Sequence, residues 1–188
     1  MLDEKRSQNL LKQLISEGKI IKPELRRDTF FLNKSIESLD VARRLHQISI
    51  NKNDNLKSFM WVIATSYYSM FFAATALLAH YNKKVNVDVG IHKITYHALV
   101  YYFHILDKKL QKHFIESYKD NYNTAEELLQ TSEKKTLELF EDFEHEQSKR
   151  KDFTYEMGFV AEENKARTSL QRAEKFHNEI RDIIQTKK

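Results

Sequence analysis

The chain has 188 residues, of which 31% are charged, with a formal net charge of +4, a pI near 9 and a negative mean hydropathy. That length suits one domain with a core of its own, and the absence of cysteine excludes a disulfide scaffold, a thiolate metal site and a cysteine nucleophile. Three glycines and one proline are too few turn-formers for a many-stranded sheet, so composition predicts an all-α, up-and-down bundle of five to seven helices.

Residues 3–17 place Leu10, Leu11, Leu14 and Ile15 on one face of a short helix, and Gly18 suits its C-terminal cap. We expect residues 1–22 to form an N-terminal helical appendage and 23–188 the bundle. The beginning of the chain is charged from its third residue and lacks a long apolar run, unlike a secretory signal; a cytoplasmic location is expected. Pro23 suits the first turn of the next helix, which carries Leu32, Ile36, Leu39, Ala42 and Leu45 at helical spacing and ends before the polar run 49–55.

From Ser58 to Tyr81 the chain holds no Lys, Arg, Asp or Glu. As a helix this stretch spans about 36 Å, enough for a bilayer. Its middle, ATSYYSM, is rich in hydroxyls that lipid would leave unsatisfied, and its small residues allow close helix approach. It reads as the central helix of a bundle, residues 56–80, capped by Asn53 or Asp54, and no membrane partner is expected. A loop follows at 82–90, where VNVDV alternates like a short strand, and then a helix over 91–106. Residues 107–121 extend that helix or form another. Thr124 and Glu127 have capping-box spacing and predict a helix start that runs to about Gln147. SKRKDFTYEMG (148–158) reads as a functional turn before a last helix carrying Ala166, Leu170, Ala173, Phe176, Ile180 and Ile183.

The eight histidines form no HExxH site. His97 and His104 lie two helical turns apart, and Glu174 with His177 matches the Glu-x-x-His spacing of helical metal bundles once, with Asp142 and His145 a weak second. The central helix has no carboxylate to complete such a site. No metal and no cofactor are expected, and three glycines do not supply a phosphate loop. Lys149, Arg150 and Lys151, followed by Phe153 and Tyr155, combine a phosphate grip with rings for base stacking; the structural alternative puts the cations on a solvated helix end and the rings in the core. The acidic run 138–146 is a solvated face or a partner-binding one.

The run SYYSMFFAATALLAHYNKKV, followed by IHKIT, resembles the central helix, loop and His-Lys pair of the HEPN (higher eukaryote and prokaryote nucleotide-binding) superfamily, here with His92 and Lys93. The turn from Arg150 to Tyr155 is similar to the Arg-containing turn of its bacterial and archaeal branch, and the resemblance covers roughly residues 28–185. It implies a helical bundle that forms homodimers, with the 148–158 turns of two chains beside a shared cleft, in toxin–antitoxin or defence systems that often include a small nucleotidyltransferase. Active members are metal-independent ribonucleases with Arg, four to six residues, then His. Here Tyr155 stands where that His would be, and a phenol titrates too high to exchange protons near neutrality. Arg150 retains a planar fork for phosphate, Asp152 could hold that fork, and Tyr155 offers a hydroxyl as nucleotidyl acceptor. Three alternatives follow: a module binding RNA or nucleotide, with Lys149, Arg150, Lys151, Asp152 and His92 as binding residues and Arg150 and Tyr155 as catalytic ones if cleavage survives; a non-catalytic interaction module for a nucleotidyltransferase; or a structural helical protein with incidental charge. A second basic set, Lys165, Arg167 and Arg172, is expected to begin the last helix and fold back towards the turn.

Overall fold

The computed structural model of the chain describes residues 3–54, 56–142 and 153–186, and side chains outside 129 and 131–162. Six α-helices dominate the described residues: α1 (Glu4–Ser16), α2 (Asp28–Ile50), α3 (Phe59–His80), α4 (Ile91–Leu99), α5 (Lys112–Asp142) and α6 (Phe153–Gln185). The all-α bundle expected from composition is the observed fold.

The apolar stretch is α3, and it is the hub. α2 and α6 pack along it most extensively, and α4 and α5 also lie against it. Val62, Ile63, Met70, Ala73, Ala74 and Leu77 on it are fully buried, with Leu39 of α2, Leu99 of α4, Ile115 and Tyr118 of α5, and Phe176 of α6 completing the same core. α3 is long and apolar enough to cross a membrane, yet 78% of its most apolar window is buried within the bundle. One of its hydroxyls is held between helices: Ser69 Oγ lies 3.2 Å from Ser35 Oγ of α2, which lies 2.7 Å from His177 Nδ1 of α6.

Two helix ends use the same device. Gly18 (φ +68°) follows α1, and Lys19 N donates to Leu14 O at 2.8 Å. Asn82 (φ +55°) follows α3, and Lys83 N donates to Leu78 O at 2.8 Å. Each is a Schellman closure with its αL residue at C′. The chain leaves both caps in register to pair: Ile20–Ile21 (β1) runs antiparallel to Lys84–Val85 (β2), with Ile20 opposite Val85. This ladder ties the connector after α1 to the loop after α3. Leu11 of α1 is itself fully buried in the core.

Several local expectations are corrected. Pro23 lies in the connector, and α2 begins only at Asp28. The cap of α3 is Ser58, which makes no side-chain capping bond; Asp54 Oδ1 accepts instead from Leu56 N at 2.8 Å, closing a local turn. The helix over 91–106 is α only to Leu99 and π from Val100 to Leu106. Residues 107–111 break the chain, so the start of α5 is at Lys112, and Thr124 lies inside it with its hydroxyl donating to Asp120 O at 2.8 Å. A capping pair mid-helix turns back on the preceding turn because the backbone N–H groups it would serve are already bonded. α6 starts at Phe153, so residues 153–158 are helical and not part of a turn; 143–152 lie outside the described residues.

Truncating Leu77, fully buried at the centre of α3, should expose the dependence of the bundle on that helix. Leu77→Ala is expected to lower unfolding free energy by about 2–5 kcal/mol, whereas Val89→Ala, at an 85% exposed position, should stay within about 0.5 kcal/mol. Denaturant titration of both variants checks this.

Candidate functional site

Four histidines act as joints between helices, and one of them also faces a cavity. His97 Nδ1 of α4 lies 2.9 Å from Ser7 Oγ of α1, and His177 of α6 meets Ser35 of α2. His80, at the end of α3, has Nδ1 2.9 Å from Asp28 Oδ2 at the start of α2, with Arg26 Nε 3.2 Å from the same oxygen. Burial alone would raise the Asp28 carboxyl, but the bonds from His80 and Thr29 N and the charge of Arg26 outweigh it and hold the group below its ordinary value.

His92 is the fourth. It stands in the first turn of α4, after Gly90 (φ +76°) turns the chain into that helix. Its Nδ1 lies 2.7 Å from Tyr67 Oη of α3, and its ring centroid 4.3 Å from that of Phe71. Tyr67 is buried, and burial together with the neighbouring Tyr118 pushes its phenol well above the ordinary value. Tyr67 is therefore a protonated phenol at neutral pH, and its hydroxyl shares a hydrogen bond with His92 Nδ1. Burial also lowers the His92 pKa, with Glu126 opposing the shift.

The far side of this pair opens into a cleft of about 230 Å³ between α3, α4 and α5, lined by Tyr67, Tyr68, His92, Tyr122, Glu126 and Gln130, with Ala64 and Ala125 as its small-residue wall. Tyr68, next to Tyr67 but rotated about 100° around the helix, is 43% exposed. Tyr122 Oη donates to Glu126 Oε1 at 2.9 Å. Three phenol rings, a neutral imidazole and one carboxylate can stack a planar group and accept or donate hydrogen bonds. Among the described residues the cleft carries no cation.

Of the residues singled out by sequence, His92 alone is placed at this cleft. Lys149, Arg150, Lys151 and Asp152 lie outside the described residues, and Tyr155 lies in the first turn of α6 by its backbone, its side chain outside them. Lys165, Arg167 and Arg172 do not begin the last helix: Lys165 lies about 18 Å along α6 from its start. Arg172 Nη2 pairs with Asp120 Oδ2 at 3.1 Å, and Arg167 bonds Asn164 of its own helix. His97 and His104 both meet α1, His97 through Ser7 and His104 with its Nε2 3.4 Å from Glu4 Oε1, and they share no metal site. Among the described residues no three His, Cys, Asp or Glu side chains converge as metal ligands. Sequence reasoning missed Tyr122 and Glu126; their i, i+4 spacing on α5 was the available signal.

No family model, curated protein or solved structure matches this chain.

The buried histidines make stability depend on pH. Burial, with Arg6, Lys93 and Lys119 nearby and only Asp3 opposing, lowers His97 from 6.5 to about 4; His177 is lowered in the same sense, by burial first. Between those pH values the folded state binds fewer protons than the unfolded chain. Stability is thus fully present above about pH 6.5 and is lost as pH falls towards 4, by on the order of 2–3 kcal/mol for His97. Urea unfolding at pH 7.5 and 4.5 should show this drop, with His97→Gln reducing it, and the His97 ring should titrate by NMR with a midpoint near 4.

Proposed function

We propose that this chain is a HEPN-like module that binds RNA or nucleotide, acting as a homodimer in a toxin–antitoxin or defence-type system with a nucleotidyltransferase partner. The observation that carries the reading is the His92 cleft: the histidine picked out by the family resemblance is the one whose ring is neutral, held by Tyr67 and open to a tyrosine-lined space. Rings of this kind stack bases without regard to sequence. The missing cation is supplied in this reading by Lys149, Arg150 and Lys151, which grip phosphate. Because Tyr155 replaces the motif histidine, binding without efficient cleavage is expected. Outward-facing Trp61 and Tyr68, 55% and 43% exposed on the otherwise buried α3, favour a second chain covering that face.

A labelled single-stranded RNA oligonucleotide, followed by fluorescence anisotropy across a salt series, tests the binding. Tyr68→Ala should weaken affinity roughly 5-fold to 100-fold, the range of one lost base stack, without unfolding the bundle. Arg150→Ala should weaken it across sequences and reduce the salt slope by about one. Retained affinity in both folded variants refutes the site. Tyr155→Phe should leave binding nearly intact and abolish transfer of a nucleotidyl group to the chain, read by mass spectrometry with a nucleotidyltransferase. Light scattering at tens of micromolar should give a dimer mass.

A further inference from the structure

A second and larger cavity, about 530 Å³, opens where the β1–β2 ladder and the connector after it cross α2, α3 and α4. The Phe71 ring lines this cavity and also contacts His92 of the smaller cleft. The floor is apolar, built by Phe31, Phe71, Leu78 and Val85. The rim is cationic, with Lys22, Arg27 and Lys84 exposed around it and Glu24 as the acidic member of the lining.

These three cations have no carboxylate partner among the described residues, although cations beside them in sequence do. Lys19 pairs with Glu17 at 2.7 Å and Arg26 with Asp28 at 3.2 Å. A fourth cation of the lining, Lys83, sits 5.1 Å over the Tyr102 ring. The wall supplies a polar group as well: Thr95 is 1% exposed and lines the cavity, and its hydroxyl makes no hydrogen bond among the described residues. By contrast, the Thr75 hydroxyl of the same lining donates to Phe71 O at 2.8 Å. A hydroxyl on an otherwise apolar wall offers a ligand one point of orientation.

We propose that this cavity binds a small amphipathic organic anion, its apolar body against Phe31 and Phe71 and its anionic head between Lys22, Arg27 and Lys84. The volume lies within the range of small-molecule sites. A neutral apolar ligand would leave the unpaired cations without use, and a polyanionic chain would track the surface in place of entering a pit with an apolar floor. The Thr95 hydroxyl contributes one hydrogen bond to the ligand. The inference is independent of RNA binding at the His92 cleft.

Calorimetric titration of the full chain with decanoate and with decanol, its uncharged counterpart, tests the inference. Decanoate should bind about tenfold tighter or more. The double variant Arg27→Gln/Lys84→Gln, changed only at exposed rim positions, should lose that preference while keeping its unfolding temperature and its affinity for decanol. The isosteric Thr95→Val should weaken decanoate several-fold and leave the fold intact, read by circular dichroism. Equal binding of decanoate and decanol, absence of binding by both, or decanoate affinity unchanged in the rim variant and in Thr95→Val would each overturn the proposal.

Discussion

The structure depends on the need to cover α3 on nearly every side. A helix of 22 residues without a charge cannot be stable with much of its circumference in water, and each buried apolar side chain contributes about 1.5–3 kcal/mol relative to exposure. Four other helices therefore converge on it. Its alanines and serines let the neighbours approach closely, while Met70, Leu77 and Tyr67 fill the space between them. Around the Ser69 hydroxyl the neighbouring helices supply partners, Ser35 and through it His177, while Thr65 and Thr75 bond carbonyls of α3 itself. The amphipathic helices α2 and α6 could not be soluble and folded alone; the central helix gives their apolar stripes a common destination.

That arrangement also gives the histidines their character. Each interhelical joint couples an imidazole to a hydroxyl or carboxylate from a distant segment, and burial holds His97 and His177 neutral. A neutral imidazole needs no counter-ion, which suits a buried joint between helices, whereas His80 has a carboxylate partner in Asp28. The same physics keeps His92 neutral, but its surroundings differ. α3 presents Tyr67 inward to the core and Tyr68 outward to solvent in consecutive positions, so the rim of the core passes between them and His92 stands on that rim. The candidate site is thus the edge of the scaffold, stiffened by the packing behind it.

The cleft and the larger cavity divide the surface chemistry between them. One is aromatic with a carboxylate, the other apolar with a cationic rim, and Phe71, which lines the larger cavity, packs its ring against His92 of the cleft. At His92, α4 meets α3 through one hydrogen bond to Tyr67 and ring contacts with Tyr67, Tyr68 and Phe71, while the loop carrying β2 pairs with the connector after α1. The modest net charge of the chain conceals this partition, since charge averaged over 188 residues says little about local potential.

Much of the fold was legible from local patterns. The charge-free run marked α3, helical periodicity marked α2 and α6, and Gly18 marked the end of α1, because each signal acts within a few residues of the chain. Local patterns failed where several solutions had similar local energy. Thr124 and Glu127 spell a helix start, but the break at 107–111 had already started α5, and Pro23 was free to sit in a connector because β1 pairs across the fold. The pairing of Ile20 with Val85, the meeting of Ser7 with His97 and of Ser35 with His177, and the closing of Tyr122 and Glu126 on His92 join residues far apart in sequence. The sequence by itself determined which segments are helical and which helix must be buried, since periodicity and hydrophobic burial are properties of single segments. Only the tertiary structure decided which polar groups meet and where cavities remain, since those depend on how the helices pack around α3, and no one segment encodes that geometry.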